Sequence, residues 1–95
     1  MGTMVDYKLK DDVTFQDLID LGFYNNYSYY DGDHYFKTLS NSTSIVVYTK
    51  GRDVQKWKHH STRDTFNLFG EELPITERTL KKAGLVGKVT RRENE

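Results

Sequence analysis

The sequence predicts an α+β fold: a mainly antiparallel sheet of about four to six strands with two short helices, near residues 14–21 and 76–83, on one face. Two observations support this prediction. Segments rich in β-branched and aromatic residues fill the middle of the chain, and a segment with helix start and stop signals stands on each side of them. In addition, Asp31-Gly32-Asp33 separates two aromatic segments, which indicates a hairpin.

The two predicted helices have similar starts and ends. Thr14 and Thr76 are predicted N-caps, and Asp17 places negative charge in the first turn, where the helix dipole favours it. Gly22 and Gly84 are the predicted left-handed residues just past each helix. Such an ending predicts hydrophobic contacts of Phe23 with Leu18 and of Leu85 with Leu80.

Five segments have the composition or the alternation of strands: residues 5–10, 27–30, 34–39, 44–49 and 54–60. The first alternates apolar with charged residues, which is typical of a strand with one buried face. The fourth, SIVVYT, is rich in β-branched residues and is predicted to be buried on both faces. In the fifth, Lys56 and Lys58 are predicted to share one face with Val54, and Trp57 to lie on the other.

Two further segments leave the strand count open. Within residues 61–74, Thr65–Phe69 forms either a strand or part of a loop that covers the sheet. Residues 86–90 are predicted to add a short strand at one edge. The expected single domain spans residues 4–90, with residues 1–3 interpreted as a cloning remnant and residues 91–95 as a frayed tail.

Composition narrows the class of protein. The chain has 95 residues, which suits one domain, and it has no cysteine, which excludes disulfides and thiolate metal sites. A cysteine-free chain fits a reducing compartment, so the expected location is the cytoplasm. The longest aliphatic run, residues 45–47, is far shorter than the ~20 apolar residues of a membrane helix. A cytoplasmic protein without membrane contact is therefore expected.

The stretch from Phe23 to Leu39 holds seven of the chain's thirteen aromatic residues. Tyrosine is frequent in strands for packing reasons alone, so a purely structural role is one interpretation. The second interpretation is a protein-binding surface on the outward half of the hairpin, and the third is a platform on which nucleic-acid bases stack. The candidate protein-binding residues are Tyr24, Tyr27, Tyr29 and Tyr35, with Tyr30 as a further member.

A basic segment, residues 50–63, supplies the alternative site. Its candidate nucleic-acid-binding residues are Arg52, Lys56, Lys58 and Arg63, and Arg91-Arg92 near the end of the chain could add to them. Exposed lysines on an edge strand also prevent sheet-to-sheet aggregation, which is the competing explanation. Charge is uneven as well: residues 1–40 have a net charge of −4 and residues 41–95 of +4, which can mark a basic binding face or head-to-tail self-association.

No catalytic residue, metal site or cofactor is predicted. The chain lacks nucleophile-elbow, Walker and dinucleotide glycine patterns. His59 and His60 are neighbours, so on a strand they face opposite ways, and His34 with Asp31 and Asp33 lacks the ligand number of a calcium loop. A non-enzymatic protein is therefore expected.

Three segments carry a resemblance to a group of proteins: YKLK at 7–10, DLIDLGF at 17–23 and LKKAGLVGKV at 80–89. In these segments the chain resembles small uncharacterised phage and prophage proteins of Gram-positive bacteria. The resemblance implies a cytoplasmic accessory protein, and some small phage proteins act by binding a host protein. The leading hypothesis is accordingly a protein-binding domain, whose partner is another protein or a second copy of the chain.

Overall fold

The computed structural model describes residues 7–28, 32–40, 42–59 and 70–91. They form a mainly antiparallel sheet with two helices, which confirms the predicted α+β class. Within these ranges the sheet has seven strands, more than the four to six that the sequence predicted. In chain order the elements are β1 (Tyr7–Leu9), α1 (Phe15–Asp20), β2 (Tyr24–Ser28), β3 (Gly32–Thr38), β4 (Thr43–Tyr48), β5 (Asp53–His59), β6 (Gly70–Leu73), α2 (Glu77–Ala83) and β7 (Val89–Arg91).

The strands lie in the order β2-β3-β4-β5-β1-β7, and every pairing is antiparallel. One side of β5 is shared: its first residues pair with β1 and its later residues with β6. Among the described residues, β2 therefore forms one end of the sheet and β7 the other, and the outer side of β6 is a third edge.

The hairpin prediction is confirmed, but its two strands begin earlier in the chain than expected. β2 begins at Tyr24 because helix α1 and its cap end at Phe23, and Gly32 and Asp33 belong to β3, where they pair with Ser28 and Tyr27. The positive φ expected of a turn glycine is present at Gly32, at 73°. The connection, residues 29–31, lies outside the described residues.

The ambiguous C-terminal half contains a strand that the sequence did not locate. Residues 70–73 form β6, while the segment Thr65–Phe69 lies outside the described residues. The predicted last strand at 86–90 is present as β7, shifted to Val89–Arg91 because Gly87 and Lys88 complete a turn in which Lys88 donates its N–H to Leu85. Arg91 is thus a strand residue rather than the start of the tail.

Both helices start and end as predicted. The Thr14 hydroxyl accepts from the Asp17 N–H at 3.1 Å, and the Asp17 carboxylate accepts from the Thr14 N–H at 2.9 Å. These two bonds form a capping box, and the bond from the Thr14 N–H is the main reason that the pKa of Asp17 lies below its ordinary value. At the other ends, Phe23 donates to Leu18 O at 3.0 Å and Leu85 to Leu80 O at 2.8 Å, the hydrogen bonds of a Schellman ending.

The hydrophobic core lies between the helices and one face of the sheet. Its fully buried side chains include Leu18 of α1, Ala83 of α2, and Ile45 and Val47 of β4. Strand β4 is buried on both faces, as predicted, because Ser44 and Val46 on the opposite face are buried too. Within the described ranges, neither helix is long and apolar enough to cross a membrane.

Lys37 of β3 connects the ends of the two helices. Its Nζ donates to Leu21 O at 2.9 Å and to Ala83 O at 3.4 Å, and it lies 5.9 Å from the centre of the Phe23 ring. The last carbonyls of a helix carry partial negative charge and lack partners within the helix. A single ammonium group therefore satisfies both helix ends and holds them together over β3.

Candidate functional site

The three sheet edges differ in length and charge. β7 has three residues and ends at Arg91, and β6 has four residues, of which Glu71 and Glu72 are acidic. β2 has five residues, YNNYS, and none of them is charged. Proteins usually protect sheet edges with charges, proline or short strands, because an exposed edge can pair with another chain. The edge at β2 has none of these protections in the part of the chain that the structure describes.

The main-chain direction in β2 follows from the pairing of β3 with β4. Asp33 O accepts from the Thr49 N–H at 3.2 Å, and the Leu39 N–H donates to Thr43 O at 2.9 Å, so the odd-numbered residues of β3 direct their main-chain groups towards β4. Antiparallel strands alternate this direction, so His34 and Phe36 face β2 and pair with Asn26 and Tyr24.

The main-chain N–H and C=O groups of Asn25 and Tyr27 consequently point away from the sheet, along its outer edge. Within the described ranges no strand pairs with this edge. The Asn25 side chain strengthens the hairpin on the inner side, since its amide donates to the Asp33 carboxylate at 2.9 Å and to His34 O at 3.2 Å. The edge is thus held in a strand conformation, and its outward groups have no pairing strand among the described residues.

At this edge, one exposed tyrosine lies on each face of the sheet. The exposed fractions of Tyr24 and Tyr27 are 68% and 71%. Tyr24 pairs with Phe36, and their rings lie 5.8 Å apart, whereas Tyr27 pairs with Asp33. Since neighbouring positions of a strand face opposite sides, Tyr24 lies on one face of the sheet and Tyr27 on the helix-bearing face. A strand added to the edge would have a tyrosine ring on each side of it.

The predicted tyrosine surface is therefore changed in two ways. Tyr35 does not belong to an outward surface, because it is half-buried, packs against the core and stacks on Phe15 with the ring centres 5.2 Å apart. Tyr24 and Tyr27 are both exposed but do not share a face. Tyr29 and Tyr30 lie outside the described residues. The two exposed tyrosines, Tyr24 and Tyr27, therefore share the sheet edge at β2 and not one face of the sheet.

The predicted basic site is divided as well. The Arg52 guanidinium donates to Lys10 O at 2.6 Å and to Val13 O, and it lies 5.2 Å from the Phe15 ring. Lys56 donates to Thr79 Oγ1 at 3.1 Å. Lys58 is exposed, and it shares a face with Lys56 and Val54, as predicted. Arg63 lies outside the described residues. Two of the candidate cations thus form internal contacts that bind loops and α2 to the sheet.

A buried histidine lies on the face opposite the helices, and the sequence did not single it out as a core residue. His34 is fully buried between Phe36 and Tyr48, with ring centres 6.4 and 6.1 Å away. Its Nδ1 lies 3.0 Å from Gly32 O, and since a carbonyl only accepts, Nδ1 carries the proton. Nε2 is buried and has no hydrogen-bond partner among the described residues. This histidine anchors the start of β3, and the described ranges hold no group of three or more metal-ligating side chains.

Sequence reasoning missed Asn25 and Asn26 as site residues. Their signal was the absence of charge in YNNYS, but using it requires knowing that the strand begins at Tyr24 and lies at an edge. Comparison of the chain with family models, curated proteins and solved structures found no match. Its own geometry is therefore what indicates a function.

Proposed function

We propose that this chain is a non-enzymatic, cytoplasmic protein-binding domain of the phage accessory type, which takes a strand of its partner along the outer side of β2. The observation that carries the proposal is an uncharged edge strand whose outward main-chain groups, on Asn25 and Tyr27, are flanked by two exposed tyrosines. Edges with these properties are otherwise avoided in proteins because they invite pairing.

Strand addition explains why the tyrosines lie on opposite faces. In this mode of binding, main-chain hydrogen bonds supply affinity, and side chains alternating along the partner meet different surfaces above and below the sheet. Tyr24 and Tyr27 present a large apolar body with a polar tip, which is a common property of binding residues. A partner side chain on one face would contact Tyr24, and its neighbour on the other face would contact Tyr27.

Nucleic acid is the less favoured ligand. A surface that binds phosphates needs cations free to reach them, and Arg52 and Lys56 donate to groups within the domain instead. The tyrosine edge itself carries Asp33 beside Asn25, and a carboxylate there opposes a phosphate backbone. Affinity for nucleic acid that falls steeply with salt would support this alternative.

The test is affinity capture from a Gram-positive bacterial lysate, to which the untagged chain and nuclease are added, using three forms of the tagged chain. Tyr27→Pro removes an outward N–H and blocks an incoming strand, and proline is tolerated where the N–H faces solvent. Arg91→Pro is the matched control at the opposite edge. We expect the wild type and Arg91→Pro to capture the same protein, which is either a lysate protein or the untagged chain. Tyr27→Pro should capture neither.

Equal capture by all three forms would contradict the proposal, as would the absence of any bound protein. Tyr27→Lys provides a second variant, because a lysine on an edge also opposes pairing without constraining the backbone. Circular dichroism of each variant confirms that its sheet is folded before binding is compared.

A further inference from the structure

We infer that the strand received by β2 is the β2 strand of a second copy of this chain, paired antiparallel about a two-fold axis at Asn26. This inference rests on the proposed function and names its partner. A two-fold interface brings the same surface of two chains together, so each chain must be complementary to itself. The β2 edge has this property.

The outward main-chain groups determine the register. An antiparallel copy must place outward-directed residues opposite outward-directed residues, which restricts the axis to a position at Asn25, Asn26 or Tyr27. An axis at Asn26 places Asn25 opposite Tyr27 of the other chain, and Tyr27 opposite its Asn25. Both outward residues of each chain then form reciprocal hydrogen bonds.

The other two positions use the edge less well. An axis at Asn25 would place Tyr27 opposite Phe23, whose N–H already donates to Leu18 O at 3.0 Å. An axis at Tyr27 would place Asn25 opposite residue 29, which lies outside the described residues. Only the register centred on Asn26 satisfies the outward groups within the strand itself.

Side chains and charge favour the same arrangement. On the helix-bearing face, each Tyr27 ring would lie over Asn25 of the other chain, and on the other face the two Asn26 side chains would meet. No residue of β2 is charged, so two copies bring no like charges together across the axis. The head-to-tail alternative would pair β2 with β6 or β7, whose edges carry Glu71, Glu72 and Arg91. The closed two-fold dimer is therefore favoured over a filament.

Disulfide trapping tests both the partner and the register, because the chain has no cysteine of its own. Asn26 pairs with itself at a non-hydrogen-bonded position, where Cα atoms lie about 4.5 Å apart. That separation is within the disulfide range of about 4.4–6.8 Å. We expect Asn26→Cys to give a covalent dimer in oxidised glutathione, reversed by dithiothreitol.

Asn25→Cys is the matched control. In the proposed register the two Asn25 residues are offset by two positions along the strands, about 7 Å, in addition to the spacing between strands of about 5 Å. A separation of about 9 Å is too long for a disulfide, so this variant should remain a monomer on a non-reducing gel. Both substitutions are at exposed asparagines of the same strand. Asn25→Cys also removes the two side-chain hydrogen bonds of Asn25 to Asp33 and His34 O, so circular dichroism must show that this variant is folded before the gels are compared.

The outcomes separate this inference from the proposed function. Two results would overturn the inference. One is a covalent dimer of Asn25→Cys. The other is the absence of a covalent dimer from both variants, together with a wild type that sediments as a monomer at high concentration. If the wild type still captures another protein and Tyr27→Pro does not, strand addition stands and only the identity of the partner is wrong. Loss of both results would contradict both.

Discussion

Lys37 makes side-chain hydrogen bonds to residues that are distant in the sequence. It reaches from β3 to the carbonyls that end both helices, on Leu21 and Ala83. We predict that Lys37→Met lowers the free energy of unfolding by about 1.5–3 kcal/mol, since hydrogen bonds to a charged group are worth that much. Urea unfolding measures the change. Lys50→Met, at an exposed turn residue, should change the free energy by no more than about 0.5 kcal/mol.

Two tyrosines of the hairpin should respond in opposite ways to the same substitution. Tyr35→Ser removes the ring that stacks on Phe15 and leaves a gap at the core, so we predict a loss of about 2 kcal/mol or more. Tyr27→Ser removes a ring that is 71% exposed and should cost no more than about 0.5 kcal/mol. Thermal melting of the two variants checks this. Similar losses for both would place Tyr27 in the core as well.

The capping box makes a small part of the stability depend on pH. The bonds from Thr14, first from its main-chain N–H, hold the pKa of Asp17 below its ordinary value of 3.8. A group with a lowered pKa in the folded state stabilises the fold above its unfolded pKa, and this contribution is lost as the pH falls through the folded pKa. Asp17→Asn should therefore be less stable than the wild type at neutral pH. The difference should shrink as the pH falls below 3.8 towards the lowered pKa of the folded state, and urea unfolding over this range measures it.

The C-terminal ends of the two helices lie close together. Gly84 has a φ of 78°, and a Cβ added to it would lie 3.1 Å from Leu21 Cδ2. Gly87 has a φ of 79°, with no atom within 4 Å of such a Cβ. Alanine in this conformation costs about 1–2 kcal/mol at either position.

We predict that Gly84→Ala is more destabilising than Gly87→Ala, because only Gly84→Ala also presses the end of α2 against α1. Unfolding free energies of the two variants measure the difference, and equal losses would show that the contact with Leu21 adds nothing.

The elements also show how far the sequence could predict the structure. Caps and endings depend on hydrogen bonds between residues three to five positions apart, so Thr14, Gly22 and Gly84 were visible in the sequence. The roles of Lys37 and Arg52 were not, because their partners lie 16 to 46 residues away. The faces of Tyr24 and Tyr35 depend on the register of β2 with β3, which a shift of the turn by a few residues changes.

For the molecule as a whole, the distribution of charge over its edges is the feature that bears on function. Among the described residues, the edge strands β6 and β7 are short and charged, whereas the edge strand β2 is uncharged. The site could not be read from the sequence, because an edge exists only once the strand order is known. The tyrosine-rich segment indicated this hairpin, but the strand order determines which of its residues lie at the edge of the sheet.

Amide hydrogen exchange at Asn25 and Tyr27, measured by NMR, is the sharpest test of strand addition at β2. The dilute chain is compared with its complex, in which the partner is a second copy or the captured protein. We expect fast exchange of these two amides in the dilute chain and slow exchange in the complex, while the Asn26 amide, which faces β3, is protected in both. Protection of Asn25 and Tyr27 already in the dilute chain, or exchange that the partner leaves unchanged, would rule out strand addition at this edge.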